Sequence, residues 1–144
     1  MNERVAIACD HGGYELKEAI KARFKDFDWL DLGTNSTDSV DYPDYGQALA
    51  KKIESGEISR GILICGSGIG ISIAANRFPA VRAALCTSVK MATLAREHND
   101  ANVLALGARI TDEPLALEMV KTFFNTEFEG GRHERRVEKL TALP

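Results

Sequence analysis

Gly61-Ile62-Leu63-Ile64-Cys65-Gly66-Ser67-Gly68-Ile69-Gly70 is the stretch on which the fold turns. Its first half is a near-continuous apolar run, the pattern of a strand buried on both faces of a parallel sheet. Its second half is a glycine-rich turn, and Ile71–Asn76 reads as the helix that the turn opens. A buried strand, a tight turn and a helix make one βα unit.

The same alternation repeats on either side. Toward the N-terminus, Arg4–Cys9 is a first strand. Gly13–Asp26 carries Tyr14, Leu16, Ala19, Ile20 and Phe24 on a roughly helical stripe. Asp28–Leu32 alternates as a second strand, and Gly33–Asp41 is a loop rich in Thr, Asn, Ser and Asp. Asp44–Ser55 is a helix stopped by Gly56. Toward the C-terminus, Val81–Cys86 is a fourth strand, Val89–Glu97 a helix and Asn102–Leu106 a fifth strand. Asp112-Glu113-Pro114 has the acidic residues and proline of a first helical turn, and that helix runs to about Asn125. Glu129-Gly130-Gly131 breaks the chain before a polar terminal helix, Arg132 to about Leu140. Five βα units without a long linker predict an α/β fold. The expectation is one domain over residues 1–144, with a doubly wound, Rossmann-like, five-stranded parallel sheet, helices on both faces and a C-terminal helical tail.

Bulk properties narrow the function. A chain of 144 residues builds one core without needing disulfides or a structural metal. A formal net charge of −3 argues against a general nucleic-acid binder. The three cysteines, Cys9, Cys65 and Cys86, are odd in number and lack zinc-type spacing, which fits free thiols in a reducing compartment. No apolar stretch approaches the roughly 20 residues that span a bilayer, and the first residues lack a signal-peptide pattern. The expectation is a cytoplasmic protein with no membrane or nucleic-acid partner.

In doubly wound sheets ligands bind outside the carboxyl ends of the strands. Asp10 and His11 follow strand one, Cys65 ends strand three and Arg109 follows strand five. His98 and Asn99 lie between the fourth helix and strand five and fit that rule less directly. The glycine turn would aim several amides into one space, a site for phosphate or a developing oxyanion. Three sharper motifs fail here. A P-loop needs a lysine that is absent. The third glycine of a dinucleotide fingerprint and the arginine of a small phosphatase loop would both fall on Ile71. Cys65 stands against a helix N-terminus, where a thiolate is stabilised; Cys9 and Cys86 read as small buried hydrophobes. Histidines at 11 and 98 can exchange protons near neutral pH. Arg132 and Arg136 share a helix face and, with Arg109, suit bidentate phosphate binding. No spacing marks a metal site, and none is assigned. These residues leave open a catalytic thiol beside an anion-binding turn, a non-catalytic sensor of a phosphorylated ligand, a structural βα turn, and a redox or phosphatase cysteine. The last ranks low, because Ile71 replaces the arginine and there is no Cys-x-x-Cys.

Seven segments in order bear on that choice: Cys-Asp-His-Gly-Gly at 9–13, Asp-Tyr-Pro at 41–43, Gly-Ile-Leu-Ile-Cys-Gly-Ser-Gly-Ile-Gly-Ile-Ser at 61–72, Ala-Ala-Asn-Arg at 74–77, Arg-Glu-His-Asn-Asp-Ala-Asn-Val-Leu at 96–104, Gly-Ala-Arg at 107–109 and Glu-Gly-Gly-Arg-His at 129–133. Together they resemble the ribose-5-phosphate isomerase B family, which also includes galactose-6-phosphate and allose-6-phosphate isomerases. The resemblance covers nearly the whole chain. It implies aldose–ketose isomerisation of ribose 5-phosphate and ribulose 5-phosphate through an enediolate, with no metal or organic cofactor. A six-carbon sugar phosphate is the alternative substrate. By position, Cys65 would move the proton between C2 and C1. Many relatives lack this cysteine and carry a glutamate at the position of Ile71, so the chain resembles the cysteine type. Ser67 would assist near the sugar oxygens, and His98, with Asp10, would open the furanose ring. The backbone of Gly66, Ser67, Gly68, Ile69 and Gly70 would hold the enediolate oxygen. Tyr42 and Asn99 would contact the sugar, and His11, Arg109, Arg132 and Arg136 the phosphate. The family builds each site from two subunits, so the resemblance implies a homodimer or a dimer of dimers.

Overall fold

A computed structural model describes residues 3–142. Five strands, β1 (Arg4–Cys9), β2 (Asp28–Asp31), β3 (Arg60–Cys65), β4 (Ala83–Leu85) and β5 (Val103–Gly107), form one parallel sheet in the order β2-β1-β3-β5-β4. Six helices accompany them: α1 (Tyr14–Arg23), α2 (Tyr42–Glu54), α3 (Ile69–Asn76), α4 (Val89–Asn99), α5 (Glu113–Asn125) and α6 (Arg132–Thr141). This is the α/β, Rossmann-like sheet that the alternating pattern predicts.

Alternate strand residues face opposite sides, so each strand feeds two cores. Ile7, Ile62, Ile64, Leu104 and Leu106 pack on one face with Leu16 and Ile20 of α1, Ala92 and Ala95 of α4, and Met119 and Phe123 of α5. Ala6, Ala8, Leu63, Cys65 and Val103 pack on the other with Leu49 and Ile53 of α2 and Ile71 and Ala75 of α3. β3 is central, and five of its six residues are fully covered, as its apolar run requires.

The element ends differ from the expected ones for local reasons. β4 is three residues long rather than the predicted Val81–Cys86. It is an edge strand whose ladder begins only where Ala83 meets Val103, and the Val81 amide is already committed to a turn on Phe78. α2 starts at Tyr42 rather than Asp44, because Pro43 sits in the first turn, where no amide is needed. A short 3₁₀ turn, His11–Gly13, precedes α1. α1 stops at Arg23, and the Trp29 indole N–H donates to the Phe24 carbonyl at 3.0 Å just beyond that end. α4 runs on to Asn99 and closes on Asp100, whose φ is 45°. His98 and Asn99 therefore belong to a helix end and not to a connection.

Strand order places the site. β1 connects outward to β2, whereas β3 lies on its other side. The crevice between the β1 and β3 carboxyl ends is the switch point at which such sheets bind ligands.

Candidate active site

The carboxyl edge is assembled by backbone hydrogen bonds that tie neighbouring strand ends together. The Asp10 amide donates to the Ile64 carbonyl (3.2 Å), and the Arg109 amide to the Gly66 carbonyl (2.9 Å). The three βα turns are thus held as one surface. Asp10, Tyr42, Cys65, Gly66, Ser67, Ile69, Gly70 and Arg109 line an open cleft of about 600 Å³ there, with Ile73 and Ile110 at its rim.

Within the turn, Gly68 has φ of +79° and caps α3. A Cβ at this position would meet Leu85 at 2.6 Å and the Leu106 carbonyl carbon at 2.8 Å, so both conformation and space require glycine. The fold this allows brings the Gly68 amide to 3.1 Å from Cys65 Sγ. The Ile69 amide is taken by Ser67 Oγ at 3.1 Å. The next amides of the first turn of α3 have no intrahelical acceptor and are available to an anion. Tyr42 covers the turn, its ring 2.5 Å from where a Gly70 side chain would begin.

Asp10 is buried and accepts the Gly12 amide at 2.9 Å, which fixes its carboxylate at the mouth of β1. His11 Nδ1 accepts the Val40 amide at 3.2 Å. An accepting Nδ1 leaves the ring proton on Nε2, which is then a donor. That bond also anchors the 33–41 loop. The base of the loop is held by Asp31, which accepts from Lys17 (2.8 Å), Lys21 (2.7 Å) and the Gly33 amide (2.9 Å). Burial pushes the Asp31 carboxyl up, but these donors outweigh it and hold it below the ordinary carboxylate value. Lys17 is fully buried, and neither it nor Asp31 stood out in the sequence. The signal was a lysine amid the apolar stripe of α1.

The other two cysteines differ. Burial among apolar side chains pushes the Cys9 and Cys86 thiols up to about 11, so both stay protonated.

His98, Asn99, Arg132 and Arg136 are not in this cleft. α4 returns from the carboxyl edge to the amino edge, and its 11 residues carry its last turn about 16 Å along that path. Asn99 opens onto a groove beside Asn76, Arg82 and Ala101. His98 stacks on His133 of α6, centroids 4.4 Å apart and 15° from parallel. Burial, with the positive charge of Arg132 and the charge on His98, holds the His133 imidazole below its ordinary value. Arg132 and Arg136 are exposed on α6 beside it. Arg96 locks this arrangement. It is buried, donating to the Asp100 carboxylate (2.8 Å), the Ala101 carbonyl (2.7 Å) and the Thr126 carbonyl (3.1 Å). Arg96 and His133 also escaped the sequence reading; the spacing of Arg96 from Asp100 on one helix face was the available cue.

One chain therefore places the candidate residues in two separate groups. Comparison with known proteins gives this pattern its context. The family model described as Ribose/Galactose Isomerase matches residues 5–140. The chain belongs to the ribose/galactose isomerase family.

Among relatives, ribose-5-phosphate isomerase B of Escherichia coli is 44% identical over 98% of this chain and 96% of its own. The ribose-5-phosphate isomerase B structure from Clostridium thermocellum superposes with a TM-score of 0.94 at 51% identity, covering 96% of this chain and 95% of that one. The Thermotoga maritima ribose-5-phosphate isomerase B structure gives 0.95 at 48% identity, with 99% and 100% covered. The resemblance read from the seven segments and the predicted sheet both agree with this membership. No helix among the described residues of this family member is long and apolar enough to cross a membrane.

Proposed function

We propose that the protein interconverts ribose 5-phosphate and ribulose 5-phosphate, with Cys65 as the base. The observation that carries this reading is the Cys65 sulfur in a cleft shared with Asp10, Ser67 and Arg109, with the Gly68 amide directed at it. Proton transfer from C2 to C1 of an opened sugar needs one base, an acid for ring opening and donors for the enediolate oxygen. Cys65 takes the C2 proton and returns it to C1, so the step is redox-neutral for the enzyme. The unpaired amides of the Gly66–Gly70 turn hold the enediolate oxygen, and Ser67 lies beside them. Asp10 and Tyr42 contact the sugar, and His11 and Arg109 supply donors to the phosphate. No cofactor enters these steps.

The acid and two more phosphate ligands come from a second copy. His98, Asn99, Arg132 and Arg136 lie at the opposite edge of their own sheet, so a complete site needs two chains arranged reciprocally. The cleft rim supports this, because Tyr42, Ile69, Ile73 and Ile110 are apolar or aromatic and exposed, 41% to 64%. A partner would cover them. The functional unit is thus a homodimer, or a dimer of such dimers, working in the cytoplasm as its three free thiols suggest.

The test is a substrate panel of ribose, allose and galactose phosphates, run on wild type and Cys65→Ala without added metal. Turnover of ribose 5-phosphate by wild type is expected, with Cys65→Ala binding substrate but not converting it. Full activity in Cys65→Ala overturns the base assignment, and faster turnover of a hexose phosphate reassigns the substrate.

A further inference from the structure

We propose that His98, Glu129 and His133 form a binding site for one divalent transition-metal ion of the zinc type. Three pieces of chain converge to build it. His98 is in the last turn of α4, and the Glu129 amide is clipped to the carbonyl of the adjoining Glu97 at 3.1 Å. The His133 amide donates to Gly130 at 3.1 Å, which fixes the start of α6 over the same spot. One ligand atom from each side chain lies within 4.8 Å of the others. Tetrahedral zinc, with bonds near 2.0–2.1 Å, spans about 3.3 Å between ligands, so the side chains close by up to about 1.5 Å. Glu129 and His133 already stand 3.5 Å apart, so the movement falls to half-buried His98, which turns out of its stack on His133 to bring its in-plane lone pair to the ion.

A second observation points to a ligand. His133 Nε2 is completely buried and has no hydrogen-bond partner among the described residues, the Glu129 carboxylate standing off at 3.5 Å. A buried nitrogen of this kind is ordinarily hydrogen-bonded, and leaving it unsatisfied is destabilising. A metal ion between the two imidazoles and the carboxylate would satisfy it. The donor set also selects the ion. Two imidazoles and one carboxylate are an open zinc set with water in the fourth place, whereas magnesium and calcium prefer oxygen ligands alone. Copper and nickel share the imidazole preference.

The consequence rests on the proposed isomerase reading: metal on His98 withdraws the ring-opening acid, so occupancy inhibits turnover. The site itself does not depend on that reading and is tested first without activity.

Full-length protein, stripped with chelator, is titrated with zinc by calorimetry and with cobalt by visible absorption. One ion per chain is expected, with a tetrahedral cobalt spectrum free of sulfur-to-metal charge transfer. Binding should persist in Cys65→Ala and weaken by about tenfold or more in Glu129→Gln and in His133→Gln. Glu129→Gln changes an exposed side chain, so it keeps the test valid if the His133 variant does not fold. No binding to wild type, loss of binding in Cys65→Ala, or less than tenfold weakening in Glu129→Gln overturns the site. In activity assays, Glu129→Gln should turn over as wild type does and resist zinc. If zinc binds as described but wild type turns over no sugar phosphate, the isomerase reading fails and the site stands. Zinc that binds without inhibiting overturns the claim on His98.

Discussion

The two edges of the sheet carry different groups of candidate residues and are built differently. At the carboxyl edge, Asp10, Cys65 and the glycine turn are fixed within a residue of a strand end, where ladder hydrogen bonds pin the backbone. At the amino edge, His98, Asn99, Arg132 and Arg136 project from helix ends, and three of the four are exposed. Proton abstraction and oxyanion binding fail if donors move by an ångström. Phosphate binding by long arginines tolerates more freedom. On the proposed reading, the rigid group would hold the reacting carbons and the adaptable group would reach in from a neighbour.

The sharpest way to break this division is complementation. If Cys65 is the base, Cys65→Ala should lower kcat by about 10²–10⁴-fold. If His98 is the acid, His98→Asn should fall in the same range. If each site draws Cys65 from one chain and His98 from another, unfolding and refolding the two variants together rebuilds one intact site in each mixed dimer. Random pairing then restores about a quarter of wild-type activity. Recovery no greater than the sum of the separate variants would place both residues in one chain's site and end the two-edge account.

How much of this was legible in the sequence follows from the same geometry. β3 and its turn could be read because a strand covered on both faces needs an unbroken apolar run, and a φ of +79° needs glycine at 68. Residues just after strands were placed correctly, since chain direction alone puts them at the carboxyl edge. By the same logic, His98 and Asn99, which precede β5, had to lie at the amino edge. Their separation from Cys65 was therefore implicit in their order. What periodicity does not carry is neighbourhood. Nothing local says that β5 inserts between β3 and β4, or that Glu129 and His133 fold back onto His98. Nor does it show that Lys17 finds Asp31 across the edge of the sheet. The short β4 had the same cause, because pairing on one side only left Val81 to a turn.

Asp31→Asn probes the rigidity of the carboxyl edge. It leaves the buried Lys17 ammonium without its main partner, which should destabilise the fold by about 3 kcal/mol in urea unfolding. The Asp31 carboxyl is held below its ordinary 3.8, so its contribution is fully present above that value. It is lost as pH falls through the depressed folded value. Wild type should therefore lose the gap over Asp31→Asn in strong acid; a gap that stays constant there would mean the pair is not what stiffens the edge.

Arg109→Ala and Arg132→Ala compare the proposed phosphate ligands from the two edges. Each removes a charge-assisted bond worth about 1.5–3 kcal/mol, so KM should rise by about 10–150-fold with kcat changed only a few-fold. If the two arginines serve one phosphate from different chains, the effects should be similar. If Arg132→Ala leaves KM unchanged, the amino edge supplies the acid but not the anion site.

The smallest effects should come from two cysteines that share Cys65's position at the carboxyl edge and not its surroundings. Cys9 closes β1 and Cys86 follows β4, yet both sulfurs face the apolar core, and with pKa values of about 11 only about one thiol in 10³ is ionised at pH 8. Cys65 is also packed in a core, but it borders the cleft and has an amide donor on its sulfur. Iodoacetamide at pH 8 should therefore label Cys65 first by mass mapping, and bound sugar phosphate should slow it. Cys9→Ala and Cys86→Ala should leave kcat within about twofold and lower stability by about 1 kcal/mol each. Labelling of Cys86 ahead of Cys65 would mean that neither the cleft nor the Gly68 amide distinguishes the sulfurs. The carboxyl edge would then owe its chemistry to something other than the geometry of its central turn.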